Sequence, residues 1–127
     1  MFLGLLAGFV TSKNNGGFAS VRSETWEGFS ALRSAQGIRI EVQGDGKVYK
    51  LLVNSMYRSD FSTKNDGQWH MVDVPFSSFK AYYFGSLISS QASLSGSQVQ
   101  ELGFMVTTTS KFSEGSFRLA IRSISGF

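Results

Sequence analysis

Gly37-Ile38-Arg39-Ile40-Glu41-Val42-Gln43-Gly44-Asp45-Gly46-Lys47-Val48-Tyr49-Lys50-Leu51-Leu52-Val53 decides the fold. On both sides of a glycine-rich bend, apolar residues alternate with polar ones at the period of strands that bury one face. The Asp45-Gly46 dipeptide favours a two-residue type I′ turn, which needs positive φ at both central positions. Pairing Gly44 with Lys47 sets Val42 opposite Tyr49, Ile40 opposite Leu51 and Ile38 opposite Val53, with Glu41 opposite Lys50 on the other face. The stretch is therefore expected to be an antiparallel hairpin whose apolar column faces a core.

The same alternation extends in both directions. Asn14-Asn15-Gly16-Gly17 supplies positions tolerant of positive φ and feeds Phe18, Ser20 and Arg22 alternating with Ala19 and Val21. His70, Val72 and Val74 alternate with Trp69, Met71 and Asp73 until Pro75 ends the strand. Phe76-Ser77-Ser78-Phe79 reads as a turn or one helical turn, and Gln98 to Glu101 as another. Between them, the serine-rich segment from Ser86 to Gln98 reads as a surface connection. Phe104 and Val106, then Phe117, Leu119 and Ile121 against Arg118, Ala120 and Arg122, read as half-buried strands. Glu24 to Arg33 suits a short helix or an aromatic-bearing loop, and no long stretch has a helical period. About seven short strands with scattered turns imply an all-β protein, an antiparallel two-sheet β-sandwich.

Composition narrows the function. The 127 residues are 42% hydrophobic and 14% aromatic, enough for one domain over residues 1–127 with a real core. With no cysteine, thiol catalysis, thiolate metal sites and disulfides are excluded. The net charge of +3 is spread along the chain without a basic run, so no nucleic-acid partner is expected. Met1 to Val10 is apolar, but no basic residue precedes the run and it is too short to span a bilayer. We read Leu3 to Thr11 as a first strand and expect no direct membrane insertion. Removal of a presequence would leave the same chain, so a cytoplasmic and an organellar location, mitochondrial or plastid, both stay open.

Chemistry-bearing residues are sparse. His70 is the only histidine, so a catalytic triad would have to use it, yet its place in an alternating strand reads as a packed or partly buried side chain. Asp45 and Asp66 precede glycines, as ordinary turn residues do, and no paired-acid or ligand-spaced acidic pattern points to a glycosidase or a metal. Gly44-Asp45-Gly46 is followed by a strand, whereas a dinucleotide fingerprint precedes a helix. No cofactor, no metal and no enzymatic activity are expected. What remains is a recognition surface: Trp26, Tyr57 and Trp69 offer aromatic faces, and Asn15, Arg22, Arg39 and Arg58 offer donors. Tyr49 falls on the inward face and reads as core. Arg22 ends its strand, where its guanidinium fork either holds turn carbonyls or holds a ligand.

Taken in order, Asn14 to Ser23, Gly37 to Tyr49, Trp69 to Phe79, Leu102-Gly103-Phe104-Met105 and Gly115-Ser116-Phe117-Arg118-Leu119 resemble the complex I intermediate-associated protein 30 family. The resemblance runs from about Gly8 to Ile124 and implies a galactose-binding-like jelly roll. It also implies an assembly factor or scaffold whose partner is a protein, a subunit or assembly factor of a membrane-bound complex of the respiratory complex I type. A carbohydrate-binding module with a glycan ligand is the alternative, and it requires an open groove rimmed by two aromatic rings; a hydrolase is the third reading. The family's upstream segment, a Trp and an Asn-Asp pair before Met-Gly-Gly, has no match here. A missing strand leaves an edge, so a homodimer through the N-terminal edge strand is expected.

Overall fold

A computed structural model describes residues 4–10, 18–23, 31–83, 86–89, 94–107 and 115–127, with side chains for 31–83, 86–88, 94–106 and 116–127. Its strands are β1 (Gly4–Val10), β2 (Phe18–Ser23), β3 (Gly37–Gln43), β4 (Val48–Val53) and β5 (Tyr57–Ser62). They continue as β6 (His70–Pro75), β7 (Lys80–Tyr83), β8 (Ser86–Ser89), β9 (Leu102–Thr107) and β10 (Gly115–Gly126). A four-stranded sheet has the order β1-β10-β3-β6, and a six-stranded sheet the order β2-β9-β4-β5-β7-β8. Neighbouring strands are antiparallel throughout. The expected β-sandwich, with a first strand made from the apolar opening, is what forms.

The expected hairpin is not. β3 pairs with β10 and β6, whereas β4 pairs with β5 and β9, so the bend at Asp45-Gly46 carries the chain from one sheet to the other. Ile38, Ile40 and Val42 do share a core with Tyr49, Leu51 and Val53, but they belong to facing sheets rather than to one ladder. Burying one face of each strand produces the same alternation in either arrangement. Gly46 has φ of 91°, but Asp45 is not among the described non-glycine residues with positive φ, so a type I′ turn is ruled out there. The charge pairing changes as well. Lys50 Nζ donates to Asp60 Oδ1 at 2.6 Å across the β4–β5 ladder, and Glu41 lies 3.7 Å from Arg122.

What holds the inter-sheet bend is Asp45. Its Oδ1 accepts from the Tyr49 hydroxyl at 2.9 Å and from the Lys47 amide at 3.2 Å, while its Oδ2 accepts from the Arg118 amide at 2.9 Å. Tyr49 is fully buried, stacked on Phe61 with centroids 6.2 Å apart, and its oxygen also accepts from the Arg118 amide at 3.1 Å. One carboxylate thus ties the β3–β4 bend to β10.

The type I′ hairpin turn lies elsewhere, at Asn54-Ser55 between β4 and β5. Both residues have positive φ, 54° and 60°, and the Met56 amide donates to the Val53 carbonyl at 3.2 Å. Asn54 tolerates this conformation and uses it. Its Nδ2 donates to the Gln98 carbonyl at 2.7 Å, and its Oδ1 accepts from the amides of Gln100 and Glu101 at 2.8 and 3.1 Å. The hairpin tip therefore clamps the segment that leads into β9.

Single 3-10 turns form at Phe76–Ser78 and Gly96–Gln98, the first where one helical turn is expected. Gly96 packs so closely that a Cβ there would lie 1.6 Å from the Leu32 carbonyl oxygen. Two expectations need correction. Ser86–Ser89 is a strand at the edge of the larger sheet, where a surface connection was expected. β9, between β2 and β4 in the six-stranded sheet, is buried on both faces from Leu102 to Val106, where a half-buried strand was expected. On the outer face of that sheet, Leu52 and Met105 are only 2% and 5% exposed.

Candidate functional site

The two sheets treat their arginines differently, and that contrast locates the site. On the outside of the four-stranded sheet each arginine is engaged by a neighbouring strand. Arg39 and Asp73 are directly opposite in the β3–β6 register and form a two-pronged pair, Nε to Oδ1 at 2.6 Å and Nη2 to Oδ2 at 2.9 Å. That pair holds the Asp73 carboxyl below the usual carboxylate range. Arg118 donates to Gln43 Oε1 at 3.1 Å, and Arg122 lies over the Trp69 ring at 4.1 Å beside Glu41. Arg39 and Trp69, both expected at a recognition surface, are thus engaged within the protein.

Arg58, on β5 of the six-stranded sheet, is different. Its guanidinium carbon lies 4.7 Å from the centre of the Tyr82 ring, a cation–π contact. Its Nε is buried with no hydrogen-bond partner, and no carboxylate pairs with the guanidinium among the described residues. Leaving a buried donor unsatisfied costs about 1–3 kcal/mol. Directly opposite Arg58 in the β5–β7 register stands Lys80, so two positive charges face each other across the ladder, an unfavourable arrangement by itself.

These residues line a cavity of about 250 Å³ together with Ser59, Asp60 and Ser78. It opens where β7 leaves β5, since their pairing covers only Tyr57 and Arg58. Ser78 Oγ donates to the Pro75 carbonyl at 2.7 Å, so at the 2.7 Å contact between the two hydroxyls Ser59 is the donor. Asp60 brings a negative charge to the cavity, but Lys50 already engages it. The cavity therefore keeps a surplus of cationic donors. Such an arrangement binds acceptors and anions, and it contains no base poised on a nucleophile.

A second cleft, of about 180 Å³, is lined by Val42, Gly44, Ser62, Thr63, Lys64, His70, Met71 and Val72. His70 Nε2 contacts Asp66 Oδ2 at 2.8 Å and Oδ1 at 3.1 Å. The Gln68 amide, with His70 adding to it, holds the Asp66 carboxyl below its usual range. No hydroxyl is bonded to the His70 ring among the described residues, so no triad is assembled on it. No group of three or more metal-ligating side chains occurs among the described residues either.

Of the other expected site residues, Tyr57 is half-buried and packs against the core one residue before Arg58. Arg22 is in backbone register with Gly103, which aligns with Leu52 and then Arg58, placing it about 14 Å from Arg58 by strand spacing. Its side chain, and all of Asn15 and Trp26, lie outside the described residues, as does most of Glu24 to Arg33. Sequence reading identified Arg58 and missed Lys80 and Tyr82. Their one local signal is that Lys80 is the last charged residue before the uncharged stretch 81–100.

Comparison with known proteins adds a family and a fold. The family model for complex I intermediate-associated protein 30 matches residues 3–121, so β1 lies within the match. No curated protein matches the chain. Among solved structures, the family 11 carbohydrate-binding module of a cellulosomal cellulase of Clostridium thermocellum superposes with a TM-score of 0.57. Its identity is 15%, over 98% of this chain and 83% of that one. A family 11 module from Clostridium thermocellum in complex with a β-1,3-1,4-mixed-linked tetrasaccharide gives 0.45, at 15% identity over 96% and 81%. The first superposition bears out the jelly-roll sandwich. No helix among the described residues is long and apolar enough to cross a membrane.

Proposed function

Because this chain belongs to the complex I intermediate-associated protein 30 family, we propose that it is a non-enzymatic protein-binding domain, an assembly factor or scaffold for a membrane-bound complex of the respiratory complex I type. The observation that carries the proposal is the extent of the match: residues 3–121 include strands of both sheets, from β1 into β10. The cationic cavity supports a binding role, and the His70–Asp66 pair without a bonded nucleophile offers hydrolysis no support. Binding would act through shape and a few anchors, with arginine and aromatic side chains supplying most of the energy.

A glycan ligand is the second reading, favoured by the fold shared with a carbohydrate-binding module. Stacking on sugar needs exposed ring faces. Arg122 covers one face of Trp69, Arg58 covers one face of Tyr82, and Tyr49 is buried, so these three rings favour a protein partner, whereas Tyr83, 61% exposed, is the described ring that a sugar would use. The deciding experiment is affinity capture from detergent-solubilised membranes with the intact domain, beside a glycan array. Enrichment of identified subunits of one respiratory-type complex with a blank array is expected. Reproducible glycan hits without such subunits would replace the assembly role with carbohydrate binding.

A further inference from the structure

Resting on the protein-binding reading, we propose that the cavity between β5 and β7 receives a carboxylate from an acidic segment of the partner, held between Arg58 and Lys80. Two opposed cations and one buried, unpartnered Nε–H are stabilised together by a single planar anion. Tyr82 covers one face of the guanidinium, which leaves its donor edge as the route for an acceptor. A carboxylate there takes two parallel N–H bonds from Arg58 and reaches Lys80 on the next strand. Asp60 does not fill this role, because Lys50 draws it toward β4.

The surroundings define the rest of the ligand. Leu87 on β8 is directly opposite Tyr82 and is 53% exposed, and Ile88 beside it is 55% exposed. β8 is one of the two edge strands of the six-stranded sheet among the described residues, and residues 81–100 carry no charge. An acidic residue with an apolar neighbour fits this combination, with the acid in the cavity and the apolar side chain on Leu87. A neutral sugar satisfies less of it. Its hydroxyls neutralise neither cation, and the guanidinium already occupies a face of the Tyr82 ring on which it would stack.

The test uses the intact, isotope-labelled domain and follows the Arg58 Nε–H resonance. Its probes are a blocked peptide of alternating leucine and glutamate, the matching leucine–glutamine peptide, glucuronate and inorganic phosphate. The glutamate peptide is expected to shift this resonance saturably and to bind at least about tenfold more tightly than the glutamine peptide, the order a charge-assisted hydrogen bond supplies. R58Q should weaken it by a similar factor. K80Q should weaken it too, and serves as the second variant if R58Q fails to fold. Equal affinity for the two peptides, unchanged affinity in both variants, or a preference for glucuronate or phosphate would overturn the proposal. Repeating the membrane capture with K80Q separates the two readings. Undiminished capture of the same subunits overturns this site as the partner contact and leaves the assembly role standing. Failure of the unmodified domain to capture them, with selective peptide binding intact, overturns the assembly role alone.

Discussion

Replacing Asp45 by alanine separates an inter-sheet tie from an ordinary turn residue. At the tip of a solvated hairpin, the substitution would cost under about 1 kcal/mol. In this structure it removes three hydrogen bonds to a carboxylate, and their worth follows from their surroundings. The Tyr49 hydroxyl belongs to a fully buried side chain and is left without an acceptor, about 1.5–2 kcal/mol. The Arg118 amide keeps the Tyr49 oxygen at 3.1 Å and loses less, about 0.5–1 kcal/mol, and the Lys47 amide adds about 0.5 kcal/mol. Asp45→Ala should thus cost about 3 kcal/mol, a fall in Tm of about 10 °C for a chain of this length. Urea unfolding followed by tryptophan fluorescence measures this, with an unchanged m-value showing that stability alone has moved. Tyr49→Phe should cost about 1.5 kcal/mol, and the double variant should show coupling of about 1–2 kcal/mol. A loss within about 0.5 kcal/mol for Asp45→Ala, or strict additivity, would refute the tie.

Asn54→Gly keeps the positive φ but gives up the side-chain clamp on 98–101, so it should cost about 2 kcal/mol, and Asn54→Ala about 1 kcal/mol more from left-handed strain; equal urea midpoints for the two would count against this account. Gly96→Ala places a methyl group against the Leu32 carbonyl and should cost about 3 kcal/mol or abolish folding, as the yield of soluble protein and its urea midpoint will show. Burial, and then the Asp45 carboxylate, push the Tyr49 hydroxyl pKa above its ordinary 10.0. Its contribution should be fully present below pH 10.0 and lost as pH rises beyond it, and Tyr49→Phe should flatten this alkaline limb of the stability profile. At the acid end, Arg39 depresses the Asp73 carboxyl below its ordinary 3.8, so that stability is present above pH 3.8 and declines as pH falls through the lower native value; Asp73→Asn should shrink the decline seen in thermal melts.

Alternation made the strands and the core legible: Ile38, Ile40, Val42, Tyr49, Leu51 and Val53 are all buried, as their spacing implies. The partner of each strand was not legible, because apolar faces on one ladder and on facing sheets obey the same period. Asp45-Gly46 is sound bend chemistry, but nothing local distinguishes a bend within a sheet from one between sheets. The Asn54-Ser55 turn carries no glycine, so composition did not mark it. For the same reason the Arg58 cavity was half visible. Arg58 stood out by type, but Lys80 joins it only through the β5–β7 register, between strands separated in the chain by all of β6.

The strand orders also bear on how the chain is made. β9 lies between β2 and β4, and β10 lies between β1 and β3, so each sheet is closed by a strand that emerges late from the ribosome. β1 and β2 join their sheets only through those late arrivals, in a nested pattern that prevents stepwise folding from the front. Until residues 102–126 appear, the nascent polypeptide holds two unfinished halves with the edges of β3 and β4 open to unrelated strands. Folding must therefore wait for nearly the whole domain and then proceed slowly, through contacts distant in the chain.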